Sequence, residues 1–385
     1  MPLSKESLDE LVTAVARFVK ERLVPIENEV AENDKVPDEV IDEMKGMGLF
    51  GMSIPEEHGG LGLTVEEEVT VAFELGRTSP VFRSALGTNN GIGSQGIIMF
   101  GTDDQKKRYL PGLASGEIIG SFALTEPEAG SDAGSCRTTA KRTPGGYVIS
   151  GTKRFITNAP KAGVFTVFAR TDENVAGAKG LSAFLVPGGL PGIEIGKPDK
   201  KMGQHGTYTS DVIFNDVKVE ENALLGGVEG QGFKAAMQVL DRGRLHISAV
   251  CVGVAERLIS DSVRYSNQRK QFGKPISDFQ LIQAMLADSY TEALAAKCMV
   301  LETARKRDLG KDVNMDAAAC KMYASEMVGR VADRAVQIYG GAGYIADYGI
   351  ERFYRDVRLF RLYEGTTQIQ QIVIARGLNR GEGVH

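Results

Sequence analysis

The opening residues, MPLSKESLDELVTAVARFVK, place Leu8, Leu11, Val12, Val15, Phe18 and Val19 at helical spacing with charged residues between them. An apolar row recurring every three to four positions marks the buried face of an amphipathic helix. This texture continues to about residue 120, with breaks at residues 54–62 (IPEEHGGLG) and 78–80. From about residue 120 to 230 it changes: GYVISG, VFTVFAR, LSAFLVP and DVIFNDVKV alternate with clusters of Gly, Pro, Asn and Asp. Short β-branched and aromatic runs between turn formers predict a small antiparallel sheet or barrel. Helical periods return from Phe233. In MYASEMVGRVADRAVQIY, the rows Tyr323, Met327, Val331, Ala335 and Val328, Ala332, Val336 form one apolar stripe, while Glu326 and Arg330 are spaced to pair on another face.

The predicted architecture is therefore α+β and multidomain: a helical domain over residues 1–120, a β-barrel over 121–229 and a helical bundle over 230–385. The order is α, β, α without a βα rhythm, which excludes a doubly wound parallel sheet.

Composition narrows the functional classes. The 385 residues are 42% apolar and 25% charged, ordinary values for a soluble chain of more than one packed unit. The net charge is -5, with no like-charged block suited to a nucleic-acid or membrane arm, so an anionic ligand needs a local basic site. No apolar run approaches the roughly 20 residues of a membrane span. Cys136, Cys251, Cys298 and Cys320 are dispersed, as expected of reduced thiols in a cytoplasmic protein, and the acids Glu6, Asp9 and Glu10 are unlike a transit peptide.

Several short motifs carry possible chemistry. GAGYIA (341–346) fits a relaxed dinucleotide fingerprint, but it follows a helix where a Rossmann turn follows a strand. It reads instead as a helix C-cap, or as glycines that let backbone approach a ligand. FALTEPEAGSDAGS (122–135) is a strand entering a turn-rich loop, where Thr125, Ser131 and exposed amides can bind a polar ring edge or an anion. KRFITNAP (153–160) gathers an aromatic, a hydroxyl and an amide at a strand end, and RKQFGKPISDFQ (269–280) offers basic groups for a phosphate. His58, His205, His246 and His385 lack HxxxH or HExxH spacing, and no GxSxG is present, so metal and serine hydrolases have no support.

In LYEGTTQIQ (362–370), Thr367 with Gln370 fits a capping box, predicting a helix start at Gln368 and free amides aimed at Thr366 and Gly365. Such amides bind oxyanions or phosphates. Glu364, just before them, is placed like a base beside an electrophilic site. The alternative is a carboxylate that merely favours the helix N-terminus, worth about 0.3–1 kcal/mol.

Taken together and in order, these motifs resemble the acyl-CoA dehydrogenases over essentially the whole chain. ALTEPEAGSDAGS (123–135) resembles the family's first signature and QIYGGAGYIADYGIERFYRD (337–356) its second, and IPEEHGGLG, GTDDQKKRYLP, RKQFGKP and YEGTTQIQ fall where the family carries counterparts. The resemblance implies an N-terminal helical domain, a middle β-barrel, a C-terminal four-helix bundle, bound FAD, an acyl-CoA thioester substrate, a homotetramer built as a dimer of dimers, and electron-transferring flavoprotein as electron acceptor. It implies that Glu364 removes the α-proton while a β-hydride passes to flavin N5. The Glu364 N–H and a ribityl hydroxyl would then stabilise the thioester oxygen.

By the same resemblance, Phe122, Leu124, Thr125 and Ser131 contact the flavin, Phe155 covers a ring face and Thr157 bonds N5. Arg269, Gln271, Phe279, Gln280, Gln337, Gly340 and Gly341 resemble segments lent by a neighbouring subunit to the pyrophosphate and adenosine. Thr366 and Gln368 complete the cofactor site, while Ser131, Asp241, Arg244 and Gly365 line the acyl-CoA site.

Departures shape the expectation. Phe155 stands where many members carry Trp, and His205 where Arg is common. Gly243 occupies the position from which some branched- and long-chain members project their base, leaving Glu364 as the candidate. Arg83 and Ser84 resemble an Arg-Ser pair of glutaryl-CoA dehydrogenases, whose arginine binds a distal carboxylate; a structural ion pair is the other reading. The expected activity is dehydrogenation of a short- to medium-chain acyl-CoA. The alternatives are a glutaryl-type enzyme or flavin oxidase, or an inert CoA-binding scaffold.

Overall fold

A computed structural model describes residues 2–172, 174–175 and 177–381, so His385 lies outside the described residues. The N-terminal helices are α1 (Lys5–Phe18), α2 (Glu27–Asn33), α3 (Asp38–Gly46), α4 (Val65–Leu75), α5 (Pro80–Asn90), α6 (Gln95–Phe100) and α7 (Asp103–Ser115). Their starts follow local chemistry. Ser4 caps α1, and Thr64 with Glu67 and Thr102 with Gln105 form reciprocal capping boxes at α4 and α7. Pro80 opens α5, where a missing N–H costs nothing. As the spacing predicts, Val15, Phe18 and Val19 are buried.

The middle of the chain forms β1 (Gly120–Ala123), β2 (Thr139–Thr143), β3 (Gly146–Thr157), β4 (Val164–Arg170), β5 (Leu181–Pro187), β6 (Ile193–Ile195) and β7 (Thr209–Glu220). The sheet order is β1-β4-β2-β3-β7-β6, with β5 also on β4. The antiparallel expectation needs correcting: β1 pairs with β4 in parallel, Gly120 opposite Val164, so the sheet is mixed. It curls over a core that includes Tyr147, Ile149, Phe165, Phe184, Val212 and Phe214. The long β3–β7 ribbon carries irregularities between Ile149 and Gly151 and between Lys153 and Ile156.

The C-terminal helices are α8 (Gly232–Gln268), α9 (Gln280–Asp308), α10 (Asn314–Tyr339), α11 (Ile350–Val357) and α12 (Thr367–Asn379). A small hairpin, β8 (Lys270–Gln271) with β9 (Lys274–Pro275), joins α8 to α9. Val65, Val69 and Phe73 of α4 belong to the same core as α8, α9 and α10, so the terminal helical layers share one interior. The buried Glu27 ties them further, accepting from Thr78 Oγ1 at 2.6 Å, Ser79 N at 2.8 Å and Arg352 Nη2 at 2.9 Å.

The apolar stripe of α10 lies in this core, with Met327, Val328, Val331, Ala332 and Ala335 buried. The Glu326–Arg330 pair does not form. Glu326 instead meets Arg361 at 3.1 Å and Thr367 at 2.8 Å, and Arg330 turns to Glu292 at 2.7 Å, because longer-range partners are in reach. Gly340 ends α10 with φ +59°, so GAGYIA is a helix terminus running into a 3-10 turn and not a strand-to-helix fingerprint. Among the described residues no helix is long and apolar enough to cross a membrane.

Helix α8 passes the end of α4 at Gly253, against Phe73 and the C-cap Gly76. A Cβ on Gly253 would overlap the Phe73 carbonyl and sit 2.7 Å from Gly76 Cα. Alanine ordinarily favours a helix interior by about 1 kcal/mol over glycine. Here the clash is with backbone that cannot rotate away, so Gly253→Ala is expected to lose about 1–3 kcal/mol, read as a lower midpoint in urea unfolding.

Candidate functional site

Glu364 sits on a turn between α11 and α12. Its φ is +53° and that of Gly365 is +92°, so two successive residues occupy left-handed backbone, uncommon for a glutamate. The helix cap lies one residue earlier than the sequence predicts: Thr366 accepts from Ile369 N at 3.2 Å and α12 begins at Thr367. Gln370 does not complete a capping box. Its Nε2 turns back to the carbonyls of Glu364, at 3.1 Å, and Gly365, at 3.0 Å. The tertiary packing that claims Thr367 for Glu326 removes it as a cap. The N–H groups of Glu364, Gly365 and Thr366 find no acceptor among the described residues.

Three long elements close around the turn. From α8, Gly243 faces the carboxylate so closely that a Cβ there would overlap Glu364 Oε2. From α10, Lys321 donates to the Gly365 carbonyl at 2.6 Å. From α5 comes Arg83, 7% exposed, with no carboxylate partner among the described residues and a buried Nε that bonds to nothing. Glu68 of neighbouring α4 is already taken by Arg242 at 2.6 Å and His246 at 2.8 Å.

Glu364 Oε2 is likewise buried without a hydrogen-bond partner. Burial pushes the Glu364 carboxyl above the ordinary carboxylate range, against the pull of Arg83, Lys321 and Arg244. Burial also drives the Lys321 ammonium down to about 8, against the pull of Cys251 and Glu364. A carboxylate in this state is a stronger base than a solvated one and has a lone pair free for a proton.

The first signature leaves β1 at Phe122, which packs its ring on Phe168 at 4.7 Å. The loop is organised by Glu126, which accepts from Arg137 N at 2.7 Å, Thr138 N at 2.9 Å, Thr138 Oγ1 at 2.6 Å and Lys153 Nζ at 2.8 Å. Burial alone would raise the Glu126 carboxyl, but Lys153 and the amide and hydroxyl donors outweigh it and hold it below the ordinary range. Lys153 also bonds the Leu124 carbonyl at 3.1 Å, and Arg154 N bonds the Thr125 carbonyl at 2.8 Å. The loop and β3 are thus stitched together, placing Thr125 beside Phe155. At the β3 irregularity Phe155 takes φ +57° and turns its ring out of the sheet, 57% exposed, with Arg154 stacked at 4.7 Å. Thr157 ends the strand, its carbonyl held by Ser121 Oγ at 2.7 Å, while Ser131 is exposed on the loop.

Asp241 and Arg244 pair on α8 at 2.6 Å, and Asn314 bonds both Asp241 oxygens at 3.0 Å. The remaining predicted residues form a separate group. Arg269 and Gln271 are exposed at the end of α8 and on the hairpin, Phe279 leads into α9 at Gln280, and Phe272, 93% exposed, stands over Phe279 at 5.9 Å. Tyr265 stacks on Tyr339 at 4.0 Å, bringing the end of α8 to that of α10, where Gln337, Gly340 and Gly341 are exposed. Gln368 is exposed on the first turn of α12.

Sequence reasoning missed Lys321, Gln370 and the Glu126–Lys153 pair. A signal existed for the lysine: Lys321 lies in phase with Ala324, Val328, Val331 and Ala335, a charge inside an apolar stripe. Such a residue is buried only when something across the interface accepts its hydrogen bond.

The comparisons with known proteins cover the chain end to end. Models of the acyl-CoA dehydrogenase N-terminal, middle and C-terminal domains match residues 5–117, 121–217 and 230–379. Acryloyl-CoA reductase (NADH) of Anaerotignum propionicum is 42% identical, covering 98% of this chain and 95% of the relative. The caffeyl-CoA reductase-Etf complex subunit CarC of Acetobacterium woodii is also 42% identical, covering 92% and 93%. Butyryl-CoA dehydrogenase from Megasphaera elsdenii superposes with a TM-score of 0.94 at 37% identity, covering 99% of this chain and 100% of that one. A curled sheet between helical layers, with models matching all three parts in order, places this chain in the acyl-CoA dehydrogenase family of FAD-dependent oxidoreductases.

Proposed function

We propose that the chain catalyses FAD-dependent α,β-dehydrogenation of a short- to medium-chain acyl-CoA to the trans-2-enoyl-CoA, with Glu364 as the base for the α-proton. The observation that carries this reading is the Glu364 carboxylate itself, desolvated and unpartnered at Oε2, opposite a glycine on α8. With Gly243 there, that position of α8 offers no acid, and Asp241 nearby is engaged by Arg244 and Asn314.

The residues fit the cofactor. An exposed ring on strained backbone at Phe155, the hydroxyls of Thr125 and Thr157 and the first turn of α12 with Thr366 and Gln368 supply an aromatic cover, polar edge contacts and free amides. Phe122, Leu124 and Ser131 complete this wall in the same reading. Bound FAD supplies the hydride acceptor for the β-carbon. The chain's own work is at the α-carbon: Glu364 takes the proton, and its unengaged N–H is available to the thioester oxygen as negative charge develops. Gly365 keeps that approach clear, and Asp241, Arg244 and Ser131 line the acyl-CoA channel. The same carboxylate serves the reverse direction, because the group that removes the α-proton is the one that returns it.

Arg269, Gln271, Gln280, Gln337, Gly340 and Gly341 are exposed, and Phe279 is half-buried beside Phe272. A second subunit's FAD is the proposed ligand of this group, within a homotetramer. Electron-transferring flavoprotein is the proposed redox partner, supported by the similarity to CarC, a subunit of a caffeyl-CoA reductase-Etf complex. The proposed domain limits remain 1–120, 121–229 and 230–385.

Arg83 favours a second reading, a dicarboxylyl-CoA substrate of glutaryl type. A buried guanidinium with a free Nε and no ion-paired carboxylate among the described residues is costly unless something else supplies the anion.

Three outcomes test these assignments. Glu364→Gln is expected to retain flavin absorbance and to bleach about 10²–10⁴-fold more slowly under anaerobic acyl-CoA; bleaching at the wild-type rate defeats the base assignment. The rate is expected to fall with decreasing pH along a limb lying above the ordinary carboxylate pKa, since the raised carboxyl must be ionised to act. In an acyl-CoA panel that includes glutaryl-CoA, with carbon dioxide release followed, Arg83→Met is expected to lower kcat/KM for the dicarboxylyl substrate about 10- to 100-fold more than for butyryl-CoA. An equal loss on both removes the second reading.

A further inference from the structure

Lys321 is fully buried, at 0% exposure, among the apolar residues of α10. Among the described residues no carboxylate lies within ion-pairing distance, and its one side-chain hydrogen bond is to the Gly365 carbonyl at 2.6 Å. A lysine gains nothing from such a site by hydrophobic burial, and a methionine would fill the same volume without the desolvation cost. The bond is also not needed to satisfy Gly365, whose carbonyl already receives Gln370 Nε2 at 3.0 Å. The residue therefore calls for a role beyond satisfying a buried acceptor, and its position beneath the Glu364 turn supplies one.

We propose that Lys321 is a positioning residue for Glu364: it clamps the left-handed Glu364–Gly365 turn through the Gly365 carbonyl and, when protonated, sets a positive charge beneath the carboxylate. This rests on the reading of Glu364 as the base.

Two physical effects follow from one side chain. A turn with φ of +53° and +92° at consecutive residues relaxes unless something holds it, and a short bond from a helix of 26 residues anchors it to the most rigid layer available. Misplacing a reacting group by about 1 Å costs roughly 100-fold in rate. The charge acts separately. The groups facing Glu364 are Arg83 from α5, Arg244 from α8 and Lys321 from α10; all oppose the upward push of burial. The groups facing Lys321 are Cys251 and Arg244 from α8, Glu364 from the turn and Glu326 from its own helix. Arg244 is already paired with Asp241 at 2.6 Å, which leaves Lys321 and Arg83 as the cations not neutralised by another carboxylate.

The test uses flavin-loaded Lys321→Met and Lys321→Arg beside Glu364→Gln. The Met variant removes both the donor and the charge, whereas the Arg variant keeps both in kind. For Lys321→Met, the anaerobic bleaching rate at its pH optimum is expected to fall about 100-fold, with KM for butyryl-CoA changing much less. The acidic limb of the pH profile is expected to move to higher pH, because losing a nearby cation raises the carboxyl further. Independently of activity, hydrogen exchange of the amides in residues 362–370 is expected to accelerate, and Lys321→Arg is expected to bring rate, limb and protection back towards wild type.

A Lys321→Met protein with an altered melting temperature but unchanged rate, limb and exchange makes Lys321 merely structural and overturns the proposal. Should the Arg variant fail to fold, the Met variant decides alone. Glu364→Gln separates the two levels. If it still bleaches normally, the base assignment falls and takes this proposal with it; if it is inactive while Lys321→Met is normal, only the clamp is lost.

Discussion

A carboxylate that is to act as a base must leave water, and a carboxylate that leaves water resists being charged. The site around Glu364 is arranged about that conflict. Burial raises its proton affinity, and Arg83, Lys321 and Arg244, brought from α5, α10 and α8, limit the rise without bonding Oε2. Direct pairing would have stabilised the ion and removed its basicity, as it does for Glu68, held down at about 2 by Arg242 and His246 despite its burial. The two acids differ in what their neighbours do, since both are desolvated.

This balance requires several chain segments to hold fixed positions, which is why the helical layers share one core. Helix α8 contributes Gly243 at the carboxylate and, one face away, Gly253 where it passes the end of α4. Movement of α8 relative to α4 would shift both. The long-range pairs of Glu27 and Glu326 act in the same direction, linking α2 to α11 and α10 to the start of α12.

Three of the seven non-glycine residues with positive φ among the described residues stand where chemistry is expected. Phe155, Phe272 and Glu364 all have positive φ, and each side chain is turned somewhere regular structure would not send it: out of the sheet, off the hairpin tip and into the helical cleft. Such conformations persist only when surrounding contacts overdetermine them. For Phe155 those contacts are the Glu126–Lys153 pair and the Arg154 bond to Thr125. For Glu364 they are Gln370 and Lys321.

Periodicity alone determined the α, β, α order and the buried face of α10, because burial imposes a repeat that the residues record one by one. The motif order pointed to the family, and the comparisons agree. What depended on distant partners was not legible. Thr367 and Gln370 have the spacing of a capping box, yet Glu326 takes the first and the carbonyls of residues 364 and 365 take the second. Glu326 and Arg330 have the spacing of an ion pair, yet both find partners elsewhere in the fold. The parallel β1–β4 pairing, the lack of a carboxylate partner for Arg83 among the described residues and the placement of Lys321 beneath the turn likewise belong to the tertiary structure. Local sequence fixes which groups a residue can reach along its own helix or strand. Only the packed chain decides which of those groups has a better partner from another segment, and the proton affinity of Glu364 is set by groups of that second kind.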